Sequence, residues 1–142
     1  AAIVDDPGGT PVTQKVTLAN LLFYIPHFTC KYATRDLSAV AGDVAYTGAG
    51  FTPKMVLIFG NLPNLANRGS FGVYDGTNYA TLAFFTATGT NSSTSQIIYT
   101  GDDATWNSTA VVASMDSDGV TLTWAKVGSA TGIMNMVIVY FR

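Results

Sequence analysis

Ala110-Val111-Val112-Ala113-Ser114-Met115-Asp116-Ser117-Asp118-Gly119-Val120-Thr121-Leu122-Thr123-Trp124-Ala125-Lys126-Val127 is the stretch whose pattern decides the fold of this chain. Val120, Leu122 and Trp124 alternate with Thr121 and Thr123, so an extended backbone sends the apolar side chains to one face and the hydroxyls to the other. That alternation belongs to an antiparallel strand with one face buried and one face wet. The run 110–115 ahead of it is mostly apolar, and Asp116-Ser117-Asp118-Gly119 between them carries the turn residues of a hairpin. The segment reads as two antiparallel strands, and the question becomes how far the same reading extends.

It extends over most of the chain. Asp75-Gly76-Thr77-Asn78 is a second turn of the same kind, joining apolar runs at 71–74 and 79–85. From Phe28 onward the period is two, with candidate strands near 29–33, 43–47, 55–60, 70–75, 79–86, 95–100, 110–115, 119–127 and 133–141. Glutamate is absent and Thr, Ser, Gly, Val and Ile abound, a composition that favours strands over helices. The last strand is apolar on both sides, with only Asn135 interrupting: Ile133, Val137, Val139 and Phe141 on one, Met134, Met136, Ile138 and Tyr140 on the other. Such a strand lies in the middle of a sheet or at a contact between subunits. Short strands at this spacing, separated by polar turns, predict a single antiparallel β-sandwich of jelly-roll-like form over residues 29–142.

Composition limits the function. With 142 residues the chain is one domain that buries roughly 68–70% of its unfolded surface without needing a disulfide or metal. Charged residues are only 11% and hydrophobic ones 48%, against about 25% charged in an average soluble domain. A surface so poor in charge is expected to be covered in part by another copy or another protein. Four lysines and three arginines, scattered, make no stripe for phosphates, so nucleic acid is not an expected partner. The longest apolar runs, at 55–59 and 133–141, fall short of the ~20 residues of a spanning helix, so no membrane insertion is expected. Cys30 is the single cysteine and is expected as a buried, unreactive thiol. No charged segment precedes an apolar one at the N-terminus, so no signal peptide is expected.

Residues 1–28 read as an arm. Asp5-Asp6-Pro7-Gly8-Gly9-Thr10-Pro11 is turn-rich, and Leu18, Leu21, Leu22 and Ile25 recur at helical spacing after Thr17, predicting a short helix halted by Pro26. Further on, Gly48-Ala49-Gly50-Phe51-Thr52-Pro53-Lys54-Met55-Val56-Leu57-Ile58-Phe59 hands a glycine turn to a proline and then to a strand apolar on both faces, which must be covered on both. This phrase resembles the strand start of β-sandwich modules in structural proteins of tailed bacteriophages. Residues 4–22, with their Asp-Pro-Gly-Gly-Thr and Lys15-Val16-Thr17-Leu18 elements, resemble the N-terminal segment of phage tail-fibre and appendage proteins, although only Lys15 is basic where that family carries a basic pair. The resemblance implies a structural virion component, as fibre, appendage or head-decoration module. It implies a homotrimer made in the host cytoplasm, contacting other virion proteins, with the arm as anchor. The expected assembly surface comprises Leu18, Leu21, Leu22, Ile25, Met134, Met136, Ile138 and Tyr140.

No constellation of catalytic residues stands out, and the chain is expected not to be an enzyme and to hold no cofactor. His27 is the only histidine and lacks a nucleophile motif around it. All nine acids are aspartates, mostly at turn positions where the side chain bonds its own backbone. A glycosidase pair would have to bring Asp75 to Asp102 or Asp103. Asp116-x-Asp118-Gly119 looks like the start of a calcium loop but lacks the glutamate that completes one. The loop 101–109 is the candidate ligand site, where Trp106 would stack on a sugar and Asp102, Asp103 and Asn107 would bond its hydroxyls, giving a host-surface glycan reader as the alternative function. The polar stretches 61–69 and 86–94 are expected as loops.

Overall fold

The computed structural model describes residues 28–65, 68–85, 89–101 and 105–142. They form ten strands: β1 (Phe28–Asp36), β2 (Gly42–Thr47), β3 (Met55–Asn61), β4 (Gly69–Tyr74), β5 (Tyr79–Phe85), β6 (Gly89–Ser93), β7 (Ile98–Gly101), β8 (Asn107–Asp116), β9 (Gly119–Val127) and β10 (Ile133–Phe141). The protein is all-β, with two antiparallel sheets of order β1-β10-β3-β4-β5-β6 and β2-β9-β8-β7. The predicted helix at 17–25 and residues 1–27 of the arm lie outside the described residues, while Phe28, expected in the arm, opens β1.

The decisive hairpin forms as read: Asp116 pairs with Gly119 across Ser117 and Asp118, and β8 and β9 run on in register with one bulge between Val112 and Ser114. Val120, Leu122 and Trp124 point inward and are 0–2% exposed. Opposite them, Val56 and Ile58 of β3 and Met134, Met136, Ile138 and Tyr140 of β10 complete a core shared by both sheets. Alternation along each strand decides which residues enter this core. The chain crosses between sheets at β1–β2, β2–β3, β6–β7 and β9–β10, so the first and last strands nest as pairs, β1 with β10 and β2 with β9.

One strand escapes the apolar pattern. The stretch 86–94 was expected as a loop, yet Gly89–Ser93 pairs with β5 as the edge of the larger sheet. An edge strand needs partners on one side only, and its polar Thr90 and Ser92 side chains cost nothing in water. The backbones of the two layers come into direct contact beside β4. Gly72 lies so near Ile97 that a Cβ there would overlap the Ile97 carbonyl oxygen. Around that contact the Tyr99 N–H donates to Ser70 Oγ at 3.2 Å, and the Thr81 hydroxyl donates to the Gln96 carbonyl.

Candidate functional site

The two outer faces of the molecule are chemically opposite. On the smaller sheet, outward positions are mainly Thr, Asn, Asp and Ala, tied by hydrogen bonds such as Thr123 Oγ1 to Asp43 at 2.5 Å and Thr121 Oγ1 to Asp116 at 2.7 Å. On the larger sheet three rows of outward positions are apolar, while a fourth, Thr34, Asn135, Asn61, Gly69 and Phe84, is mostly polar. Register aligns Tyr32, Val137, Phe59, Phe71 and Leu82 in one row. Cys30, Val139, Leu57, Val73 and Ala80 form the next, and Phe28, Phe141 and Met55 the one beyond it. Tyr32 is 68% exposed, Phe59 48%, Phe84 43%, Val137 41% and Leu82 39%. The Phe59 and Phe71 rings pack at 4.7 Å between centroids, and Phe28 meets Phe141 at 6.3 Å.

One end of this face dips into an open groove of about 990 Å³, floored by Phe59, Phe71, Phe84 and Val137 and rimmed by Asn61, Asn135 and Arg68. The rim therefore supplies amides and one guanidinium, with no carboxylate. Exposed apolar residues in such number are unusual on a solvated surface. They answer to the strand 55–59: Val56 and Ile58 fill the core, while Met55, Leu57 and Phe59 take the outward parity, the first two half-buried and Phe59 exposed.

The residues expected as an assembly surface on the last strand sit elsewhere than at a surface. Met134, Met136, Ile138 and Tyr140 are 0–1% exposed inside the core, with the Tyr140 hydroxyl donating to the Tyr46 carbonyl at 2.9 Å. Both sides of the strand are largely apolar, and the smaller sheet covers this one, so the outward side is Ile133, Asn135, Val137, Val139 and Phe141. Leu18, Leu21, Leu22 and Ile25 lie outside the described residues. Cys30, expected buried, is exposed. It shares outward parity with Phe28 and Tyr32 on the sheet's edge strand, a placement that a short run of sequence does not reveal.

The candidate ligand loop is only partly described, since Asp102 and Asp103 fall outside. Trp106 is half-buried and packs against the core, and the Arg68 guanidinium lies 5.2 Å from its ring centroid. Asn107 opens β8, half-buried. Asp75 stands at the far end of β4 from Arg68, about 24 Å away along an extended strand at ~3.4 Å per residue. Its carboxylate accepts the N–H groups of Thr77 and Asn78 at 2.9 and 2.6 Å. These bonds hold it below the usual carboxylate range.

The aspartates of the decisive hairpin are likewise committed. Asp116 accepts from Ser114 and Thr121, which lowers its pKa. Asp118 reaches across the molecule: its carboxylate accepts the N–H of Gly50 at 2.7 Å and of Gly48 at 3.1 Å, and its carbonyl accepts those of Gly48 and Ala49. Gly48 and Gly50 have φ of +97° and +79°, the left-handed turn that points their N–H groups at this acceptor. The feature that looked like a calcium loop is thus a clamp between two turns. Among the described residues no cluster of three or more His, Cys, Asp or Glu side chains could hold a metal, and His27 lies outside them. What remains as a candidate site among the described residues is the apolar face. No family model matches the chain, and neither a curated protein nor a solved structure does, so that reading rests on these residues alone.

Proposed function

We propose that this protein is a structural component of a tailed-phage virion, acting through protein–protein assembly, with the outer face of the larger sheet as its assembly surface. The observation that carries the assembly role is the contrast between the two outer faces, one threonine-rich and wet, the other carrying adjacent rows of Phe, Tyr, Val and Leu. Burying apolar area on a partner gains about 25 cal/mol per Å², whereas exposing it gains nothing. The virion setting rests on the likeness of residues 4–22 and 48–59 to phage structural proteins. In this reading the two sheets are a β-sandwich whose nested β1/β10 and β2/β9 pairs follow a jelly roll, while the meanders β3–β6 and β7–β9 depart from one. Further copies of the chain and other virion proteins are the partners.

The test is quantitative mass spectrometry of purified particles from a phage that encodes the chain. A fixed copy number per particle is expected, and absence from the particles refutes the virion role. Glycan recognition at Trp106 is the weaker reading, because core packing and the Arg68 guanidinium occupy the ring.

A further inference from the structure

We propose that the partner covering the apolar face is a second copy of this chain, packed sheet against sheet about a two-fold axis. This rests on the reading of that face as an assembly surface and adds who covers it and with what symmetry. Three features of the face point to a self-contact.

The first is charge. The three rows that hold Tyr32, Cys30 and Phe28 contain no Lys, Arg or Asp on any strand they cross. These rows, without charge, meet their own copy with no like-charge repulsion and offer a charged partner nothing to select, while the one guanidinium, Arg68, stands apart from them at the groove rim. Its content of Phe, Tyr and Met is that of an interface core rather than of a rim.

The second is area. The five-residue rows of Tyr32 and of Cys30, the three-residue row of Phe28 and the more polar row Thr34, Asn135, Asn61, Gly69 and Phe84, at ~4.8 by ~6.8 Å per residue, cover roughly 590 Å² in projection. A stable interface takes about 800 Å² of accessible surface per partner, and side-chain relief raises accessible area above projected area, so one full face is of the required size.

The third is shape. A broad sheet face is covered completely by another broad face, the two lying ~10 Å apart. That arrangement pairs copies in twos, with the same patch on each. Around a three-fold axis each copy would meet its neighbours along strips, and the middle of the face, at Phe59 and Val137, would stay wet.

The full-length chain supplies the test through its solution mass and through its single thiol. Cys30 lies on the face, so pairing slows its alkylation. Sedimentation and light scattering are expected to give the mass of two copies. In Val137→Lys the mass is expected to halve and the Cys30 alkylation rate to rise several-fold. Leu82→Lys, on a different strand of the same face, repeats the test should Val137→Lys fail to fold by circular dichroism. Ala125→Lys, exposed on the wet face, is expected to keep the two-copy mass. Three results overturn the proposal: a three-copy mass, a two-copy mass that survives both lysine variants, or a monomer. A monomer whose chain is nevertheless present at fixed copy number in particles would overturn the self-contact alone and leave the assembly role standing.

Discussion

Replacing Gly72 by alanine tests the packing that holds the two sheets at their chosen distance. Gly72 is an ordinary extended residue of β4, so its lack of a side chain answers to space rather than to backbone angle. A Cβ there would overlap the Ile97 carbonyl oxygen and stand 2.7 Å from the carbonyl carbon and 3.2 Å from Cα. All three are backbone atoms, and the Ile97 N–H is itself held by the Ala110 carbonyl at 2.9 Å. Relief requires moving the β6–β7 crossover away from the sheet, breaking the bonds from Tyr99 to Ser70 and from Thr81 to Gln96. Overpacking a core costs about 1–3 kcal/mol, and an obstacle made of backbone lies at the top of that range. For a domain of this size ~3 kcal/mol lowers the melting temperature by roughly 10–15 °C. Gly60→Ala, one strand over, is the internal control. Its Cβ would meet the Cε end of Met134, a flexible thioether that can swing aside, and alanine recovers about 0.4–1 kcal/mol by restricting the unfolded chain. The Gly60 variant is therefore expected within ~1 kcal/mol of wild type. Urea denaturation of both variants, read by tryptophan fluorescence, decides the matter. Equal losses in the two, or a Gly72 variant as stable as wild type, would refute the claim that backbone contact sets the sheet spacing.

Asp118→Ala is expected to lose about 1–2 kcal/mol, the worth of two exposed charge-assisted bonds to Gly48 and Gly50, with Asp118→Asn losing less; added calcium should leave the wild-type melting temperature unchanged. Trp106→Ala is expected to cost about 2 kcal/mol in chemical denaturation because its half-buried ring packs against the core; loss of binding on a glycan array with an unchanged melting temperature would instead favour the carbohydrate reading. Burial, with Asp118 and Tyr46 nearby, raises the Tyr140 phenol to about 12, so its contribution to stability is full below pH ~10 and is lost as pH climbs toward 12. In Tyr140→Phe the alkaline loss should shrink, and a wild type equally stable at pH 9 and pH ~11.5 would contradict the burial of that hydroxyl. At the acid end Asp36, Asp75 and Asp116 have lowered pKa values, mainly through hydrogen bonds from Ser38, Asn78 and Ser114 respectively, so the stability they add is present above pH 3.8 and fades as pH falls below it.

Local pattern was enough for nine of the ten described strands, for the two hairpin turns and for the inward triplet Val120, Leu122 and Trp124. These follow from local rules: side chains alternate along an extended chain, and Asp, Gly and Asn permit tight reversals. It also exposed the surplus of apolar surface, in the strands at 55–59 and 133–141 that carry apolar residues on both sides. What it left open was which side of such a strand faces the core, because both sides look alike to a period of two. Only the covering sheet decides that Met134, Met136, Ile138 and Tyr140 go in and that Val137 and Val139 stay out. The same holds for Cys30, whose exposure depends on the parity of an edge strand. It holds for Gly89–Ser93, which becomes a strand through its pairing with β5, against its own polar composition. Asp118 and Gly50 are 68 residues apart in the chain and 2.7 Å apart in space, a bond that no local pattern encodes. Hydrophobic periodicity is a property of neighbours in sequence, whereas burial, register and the clamp at Asp118 are properties of neighbours in space.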